Sequence, residues 1–227
     1  VTASGSVFDP NLLTPFKAMG MDTFTSEVIA DAATNPSIQN YVEQRFAIAL
    51  SLLENQAFTN GTGSGQPWGF RSSAITPNTV AQVGTTVGTL SYSDLTALKY
   101  SLKTGYRGMA IYVTSSTGLK LLENLKDTIG RPLFLPSIRD GAPDTLLGRP
   151  IYIVDEVPSN LGTGTNATEI WFGLFQNFVI GDRAGIQIDY GTNGTDFAND
   201  QISLRIKKRV AARPVIGESF SKLSGVL

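Results

Sequence analysis

The clearest pattern in the chain is a stripe of apolar residues over positions 35–58, where apolar side chains recur at spacings of three and four. That spacing places them on one face of an α-helix. The stripe consists of Ile38, Val42, Phe46, Ala49, Leu50, Leu53 and Ala57. Asn35 is a favourable N-cap and Pro36 a favourable first helical residue. We therefore expect a long amphipathic helix over residues 35–58, packed along one face of a sheet.

A glycine-rich segment separates this helix from a second one. Residues 60–69 read NGTGSGQPWG, a composition that cannot continue a helix and predicts a loop. Further on, Ser93 is a candidate N-cap for a second helix. Three leucines share one face of that helix, namely Leu95, Leu98 and Leu102. A third helix is predicted at residues 116–126.

Short runs of β-forming residues make up much of the remaining chain. The predicted strands lie at residues 108–114, 151–154, 169–172, 177–180, 186–190 and 201–210. The first is apolar throughout, which predicts a strand covered on both faces. Residues 181–185 (GDRAG) are expected to form a hairpin connection, and the last strand alternates apolar and polar residues, so that one face is buried. Helices early and strands late indicate a mixed α+β fold.

Composition narrows the possible chemistry more than it points to a function. The 227 residues contain neither cysteine nor histidine, which removes disulfides, thiolate nucleophiles, zinc sites built on nitrogen or sulfur, and the Ser-His-Asp triad. The formal net charge of -1 gives no overall field for nucleic acid or an anionic membrane. No apolar run reaches the roughly 20 residues of a membrane-spanning helix. Because the chain begins at a valine and shows no signal peptide, we expect further residues upstream.

Two segments of the sequence are candidate anion-binding sites. The glycines of residues 60–69 could cradle a phosphate, but a phosphate loop joins a strand to a helix N-terminus, and this segment follows a helix instead. The basic residues near the end of the chain could contact nucleic acid; they are Arg205, Lys207, Lys208, Arg209 and Arg213. No aromatic residue interleaves with them for base stacking. A structural turn and a solvated strand face with inter-subunit ion pairs are therefore the favoured interpretations.

Carboxylates could still support an enzyme without histidine. The acidic residues in predicted loops and turns are Asp127, Asp140, Asp144, Asp155, Glu156 and Asp189. The sequence alone cannot place any two of them at a catalytic separation, and most are expected to be turn formers and ion-pair partners. A carboxylate-dependent hydrolase or an oxygen-ligated metal site remains a distant alternative.

Read in order, several segments resemble the tailed-bacteriophage major capsid protein family, whose fold is named after the phage Hong Kong 97. The most specific segments are residues 119–134 (LKLLENLKDTIGRPLF) and 141–151 (GAPDTLLGRPI). The others are residues 26–31, 35–60, 54–69, 97–106, 108–114, 172–173, 179–188, 197–210 and 218–223. In the family these correspond to a long spine helix, a glycine loop and the helices and strands that follow. The resemblance covers nearly all of the chain from about residue 25 onward.

The resemblance implies a Hong Kong 97-type capsid fold of two domains. Residues 1–20 would be the remnant of an extended hairpin. A peripheral domain, with the spine helix and an elongated sheet, would comprise residues 21–90 and 195–212, and an axial domain, with a mixed sheet flanked by helices, residues 91–194 and 213–227. Some members of the family link subunits through a lysine, an asparagine and a glutamate. In this chain the asparagine falls at Asp200 and the glutamate at Lys207, so we expect no covalent cross-link.

The function implied by the resemblance is that of a major capsid protein. Such a subunit self-assembles as hexamers and pentamers into the icosahedral shell that encloses phage DNA, and it is located in the virion and, during assembly, in the bacterial host cytoplasm. The implied partner is the subunit itself, with scaffold, portal or decoration proteins as further candidates and neither specific nucleic-acid recognition nor a membrane. No catalytic, cofactor-binding or metal-binding residue is assigned. The close alternative is an encapsulin-type nanocompartment shell.

Overall fold

The computed structural model describes residues 13–34, 36–81, 90–127, 129–134, 144–161 and 167–226. The helices in these ranges are α1 (Ser26–Thr34), α2 (Pro36–Asn60), α3 (Tyr92–Ser101), α4 (Thr104–Arg107), α5 (Ser116–Glu123) and α6 (Gly194–Ala198). The strands are β1 (Phe16–Thr25), β2 (Asn78–Ala81), β3 (Ile111–Thr114), β4 (Thr145–Leu146), β5 (Arg149–Ile153), β6 (Thr168–Gly173), β7 (Phe178–Gly191), β8 (Gln201–Pro214) and β9 (Phe220–Val226). The mixed α+β class is confirmed. No helix in these ranges is long and apolar enough to cross a membrane.

The long helix α2 packs against a three-stranded antiparallel sheet of order β1-β8-β7. The predicted helix is confirmed, while the proposed N-cap Asn35 and the side chains of Ile38 and Val42 lie outside the described residues. Leu50 and Ala57 are buried, and a Cβ at Gly20 of β1 would lie 3.2 Å from Ile206 Cγ2 of β8 and 3.9 Å from the Phe46 ring of α2. The apolar stripe is nevertheless only partly covered, because Ala49 and Leu53 are exposed.

A six-stranded mixed sheet of order β2-β9-β6-β3-β5-β4 carries the main core. Its central strand β3 pairs with β5 in parallel and with β6 antiparallel. Both faces of β3 are covered as predicted, because Tyr112 and Val113 are buried in two different core clusters, although the strand begins at Ile111 rather than at residue 108. One face packs on the leucines of α3 and α5, which include the fully buried Leu95, Leu98, Leu102 and Leu122. The other face packs Val113 and Trp171 against Phe70 and Phe220.

The N-cap of α3 is Ser91, so the prediction of Ser93 is wrong by two residues. Ser91 Oγ accepts a hydrogen bond from the Asp94 N–H at 3.3 Å, and Asp94 Oδ2 accepts one from the Ser91 N–H at 3.1 Å. This reciprocal pair is a capping box, which satisfies two otherwise unpaired N–H groups at the start of the helix. Asp94 therefore determines which serine is the N-cap, because its carboxylate accepts a hydrogen bond from the N–H of Ser91.

We expect Ser91→Ala to lower the free energy of unfolding of the unassembled subunit by about 1 kcal/mol, the usual value for a lost N-cap. Ser93→Ala should change it by less than about 0.5 kcal/mol, because Ser93 shares only one exposed hydrogen bond with Ser91 Oγ, at 2.7 Å, and caps no backbone N–H. Urea unfolding of the two variants beside the unmodified protein measures both values. Equal losses in the two variants would contradict the assigned cap.

The strand β7 is continuous, so the prediction of two strands joined by a hairpin at residues 181–185 is wrong. It runs over 14 residues beside β8, and its register shifts between Asp182 and Ala184 and again between Ala184 and Gln187. These irregularities absorb extra residues as β-bulges, which glycine tolerates well. Gly181 is paired with Ala211 and Gly185 lies at a bulge, so neither glycine ends the strand, because β8 pairs with β7 on both sides of this segment.

The two sheets do not follow the predicted domain boundaries at three points. Phe178–Gly191 was assigned to the axial part, but it pairs with β8 in the three-stranded sheet. Asn78–Ala81 was assigned to the peripheral part, but it pairs with β9 in the six-stranded sheet. Phe16–Thr25 crosses the predicted boundary at residue 20 as one strand. The resemblance compares one continuous segment after another, so it cannot show pairings between strands that are far apart in the sequence. The division into two domains itself stays a prediction.

Candidate assembly surface

Large apolar side chains are exposed on the helices α2 and α6 and on the strands β1 and β7. On α2 and β1 they are Tyr41, Ile48, Leu52, Leu53, Met19 and Met21. On β7 and α6 they are Val179, Ile180, Ile186, Ile188, Tyr190 and Phe197. Phe197 is 83% exposed. Single exposed apolar residues are common, but so many on neighbouring elements indicate a surface that binds a partner.

A shallow apolar groove lies between β1 and α2. It has a volume of about 390 Å³, and its apolar lining includes Met19, Phe24, Phe46, Leu50, Leu53 and Ile206. The groove borders the outer edge of β1, which among the described residues pairs only with β8. An edge strand with unpaired backbone groups beside an apolar groove is a typical place for contact with another polypeptide.

The face of the three-stranded sheet turned away from α2 is basic. Arg205 and Lys207 of β8 contact Asp189 Oδ2 of β7 at 2.9 and 2.8 Å. Hydrogen bonds from Lys207 and then Arg205 hold the pKa of the Asp189 carboxyl below its usual range. Lys17 of β1 lies directly opposite Arg209 of β8 on this face. We call the set of Lys17, Met19, Met21, Asp189, Arg205, Lys207 and Arg209 the basic sheet face.

The sequence-predicted basic cluster is split between the two faces of the sheet. Lys208 points toward α2, where its Nζ lies 2.7 Å from Glu54 Oε1 and 3.5 Å from Asp182 Oδ1. The hydrogen bond from Lys208 to Glu54 raises the pKa of the lysine. Arg213 is partly buried near the end of β8. Arg205 and Arg209 are exposed, as expected of a solvated strand face. The ion pairs of Arg205, Lys207 and Lys208 lie within one subunit, so the expected inter-subunit ion pairs stay a prediction.

The glycine-rich segment forms a closed loop at the end of α2. Three of its N–H groups are already used: those of Gly61, Trp68 and Gly69 donate to the carbonyls of Ala57, Ala212 and Gly61 at 2.9, 3.0 and 2.9 Å. A Cβ at Gly61 would lie 2.0 Å from the Pro67 carbonyl oxygen, so the glycine is required by packing. The geometry favours the structural turn over a phosphate cradle, since N–H groups that bind an anion must be free to point at it.

A buried ion cluster around Glu169 joins this loop to the six-stranded sheet. Glu169 accepts hydrogen bonds from Arg71 Nε at 2.8 Å and Trp171 Nε1 at 2.9 Å, and Lys222 Nζ lies 3.6 Å away. Arg71 also donates to Asn60 at the end of α2. Burial alone would raise the pKa of Glu169, but the hydrogen bond and charge of Arg71, with Trp171 and Lys222, outweigh it and lower the pKa. A glutamate in an otherwise apolar strand was the only signal for this cluster in the sequence.

Of the carboxylates considered for catalysis, Asp127, Asp155 and Asp189 each have different partners. Asp127 accepts from the N–H groups of Ile129 and Arg131 at 2.8 Å each, which lowers the pKa of Asp127 and closes a turn. Asp155 accepts from Ser116 Oγ at 3.0 Å. Asp140 lies outside the described residues. Within the described ranges no group of three or more acidic side chains could hold a metal ion.

The two positions that correspond to the family's cross-linking residues are occupied by side chains with other partners. Asp200 has a φ of 51° and accepts from Ser26 Oγ at 2.5 Å, which fixes the turn between α6 and β8 against the start of α1. Lys207 pairs with Asp189 as described above. Asp200 lacks the side-chain amide of the family's asparagine, and Lys207 lacks the carboxylate of the family's glutamate.

The fold is that of shell-forming proteins of the Hong Kong 97 type. The capsid of an empty GTA particle, computed with C5 symmetry, has a TM-score of 0.78 at 21% identity, with 98% of this chain and 79% of that chain covered. The holo-SrpI encapsulin complex from Synechococcus elongatus has a TM-score of 0.66 at 16% identity, with 95% and 74% covered. The predicted fold is therefore confirmed.

Sequence comparison identifies the family. The model of the phage capsid family matches residues 1–225, so the chain belongs to the phage capsid family. A major capsid protein of Klebsiella oxytoca phage phiKO2 is 26% identical over 203 residues, which is 85% of this chain. The match spans 45% of the length of that relative.

Proposed function

We propose that this chain is the wall-forming part of a phage major capsid protein, which assembles as hexamers and pentamers into an icosahedral shell around phage DNA. The observation that carries the proposal is the family match over residues 1–225. The exposed apolar side chains of α2, β1 and β7 support it, because a subunit that buries them only in an assembly explains why they face solvent in the single chain.

The proposal gives the chain a structural role and assigns it no catalytic, cofactor-binding or metal-binding residue. Stability of the shell would come from many repeated contacts between identical subunits, each of modest strength. Scaffold, portal and decoration proteins are proposed as further partners. The proposed location is the virion, preceded by the bacterial cytoplasm during assembly.

Expression of the full-length protein is expected to yield closed shells, visible by electron microscopy and sedimenting far faster than the free subunit. On a denaturing gel these shells should run as single subunits, because Asp200 and Lys207 replace the residues of the cross-linking reaction. A protein that stays monomeric under all assembly conditions would contradict the proposed function. A ladder of linked subunits would contradict the absence of a covalent bond.

An encapsulin-type compartment is the second candidate, and its support is the likeness to the SrpI encapsulin. The two candidates differ in what the shell encloses. Shells purified from cells in which the phage genes are expressed should contain DNA if the first proposal holds. Shells filled with a folded protein cargo and free of DNA would favour the compartment.

A further inference from the structure

The sequence contains the same four residues, Thr-Asn-Gly-Thr, at two places. One copy is residues 59–62 and the other is residues 192–195. An Asn-Gly pair can react within itself, because glycine has no Cβ to shield its backbone nitrogen from the side-chain carbonyl of the preceding asparagine. Since the residues next to the two pairs are identical, a difference in their reactivity must come from the fold.

The first copy is held by hydrogen bonds at each group that would react. Asn60 Nδ2 donates to the Glu156 carbonyl at 2.8 Å, and Asn60 Oδ1 accepts from Arg71. The Gly61 N–H donates to the Ala57 carbonyl at 2.9 Å. Asn60 is partly buried and Gly61 is buried at the end of α2. An attack by the Gly61 nitrogen would therefore have to break several of these hydrogen bonds.

The second copy leaves the attacking and leaving groups free. Asn193 and Gly194 are exposed, and no described residue accepts a hydrogen bond from Asn193 Nδ2 or from the Gly194 N–H. Asn193 Oδ1 accepts from the N–H groups of Thr195 and Asp196 at 2.9 and 3.0 Å, which draws electron density away from the Asn193 carbonyl carbon. A Cβ at Gly194 would meet nothing within 4 Å, so the main chain has room to turn.

We propose that Asn193 is a site of spontaneous deamidation in the folded protein, whereas Asn60 is protected. The Gly194 nitrogen gives its proton to water and bonds to Asn193 Cγ, while the Cγ–Nδ2 bond breaks and ammonia leaves with a proton from water. A second water molecule then opens the resulting succinimide ring at either of its carbonyl groups. One opening yields aspartate, and the other yields isoaspartate, in which the main chain runs through Cβ and Cγ.

The two products differ in their effect on α6. Aspartate keeps a side-chain oxygen at the N-cap and caps a helix about as well as asparagine. Isoaspartate lengthens the main chain and moves its carboxylate away from the N–H groups of Thr195 and Asp196, so the cap is lost. The helix carries Phe197, which is 83% exposed. Isoaspartate at position 193 therefore changes how Phe197 is held at the surface.

The test is to keep the purified full-length protein in mildly alkaline buffer made with heavy-oxygen water and to map its peptides by mass spectrometry over time. The heavy oxygen distinguishes deamidation in this buffer from deamidation during digestion. Asn193 should react about tenfold faster than Asn60 or more, because one net hydrogen bond that must break at Asn60 adds about 1.4 kcal/mol to the barrier. In the urea-unfolded chain the two asparagines should react at similar rates.

The matched variant is Gly194→Ala, whose methyl group shields the attacking nitrogen but has open space in the fold. It should slow the reaction at Asn193 about tenfold and leave the circular dichroism spectrum unchanged. Equal rates at Asn193 and Asn60 in the folded protein, or a rate at Asn193 that Gly194→Ala does not change, would overturn the inference. A rate difference that persists in urea would also overturn it, because the fold would then not be the cause. None of these readouts depends on shell formation, so the proposed function stands or fails separately.

Discussion

Glu169→Gln is expected to lower the free energy of unfolding of the unassembled subunit by about 3 kcal/mol, because it leaves the Arg71 charge buried without its anion. The side chains of Arg71 and Glu169 are only 17% and 11% exposed. Glutamine keeps an oxygen for the Trp171 N–H, so the loss is assigned to the charge rather than to the shape. Urea unfolding followed by circular dichroism measures the difference.

The matched control is Glu218→Gln, which removes the carboxylate from an ion pair on the surface. Glu218 and Lys103 have side chains that are 61% and 64% exposed. Surface pairs of this kind contribute about 0 to 1 kcal/mol, so the control should lose far less than Glu169→Gln. Equal losses in the two variants would show that the Glu169 cluster is no stronger than a surface pair.

The effect of Glu169→Gln should also depend on pH. Because the pKa of Glu169 is lowered in the folded chain, its charge stabilises the fold above the unfolded pKa of about 4.3. That contribution is lost as the pH falls through the folded pKa. The difference between Glu169→Gln and the unmodified subunit should therefore be full at neutral pH and shrink in acid. A difference that stays constant down to acid unfolding would contradict the assigned ion pair.

Gly61→Ala is expected to destabilise the unassembled subunit by about 3 kcal/mol or more, since the added methyl group has no room. Its Cβ would lie 2.0 Å from the Pro67 carbonyl oxygen and 2.4 Å from that of Ala57. Both are backbone atoms, so no side-chain rotation relieves the contact. The loop would have to open, which would also strain the Gly61 N–H bond to Ala57 at the end of α2. The measurement is thermal and urea unfolding.

Gly65→Ala in the same loop is the control. Gly65 has a φ of 70°, and a Cβ there meets nothing within 4 Å. The cost should be limited to the left-handed backbone, about 1 kcal/mol. If both alanine variants lost the same stability, the crowding at Gly61 would not be what fixes the loop.

Local patterns of the sequence determined several elements on their own. The apolar period of three and four residues, with Pro36 at the first helical position, specified α2, because a helix is fixed by contacts within a few turns. The same reasoning placed Leu95, Leu98 and Leu102 in the core. The absence of cysteine and histidine from the sequence by itself excluded disulfides, thiolate nucleophiles and the Ser-His-Asp triad. The order of the family's motifs supplied the fold, which the comparisons confirm.

Tertiary structure decided the features that depend on residues far apart in the chain. Alternation along β8 puts Arg205, Lys207 and Arg209 on one face, but only the register with β1 sets Lys17 opposite Arg209. Likewise, β7 is one strand because β8 pairs along its length, although its glycines read as a turn. Glu169 and Arg71 are 98 positions apart, and their ion pair exists only once α2, its loop and β6 are packed together. Short-range periodicity carries no information about such pairings, because strand register and buried charge compensation are set by contacts that form between distant segments.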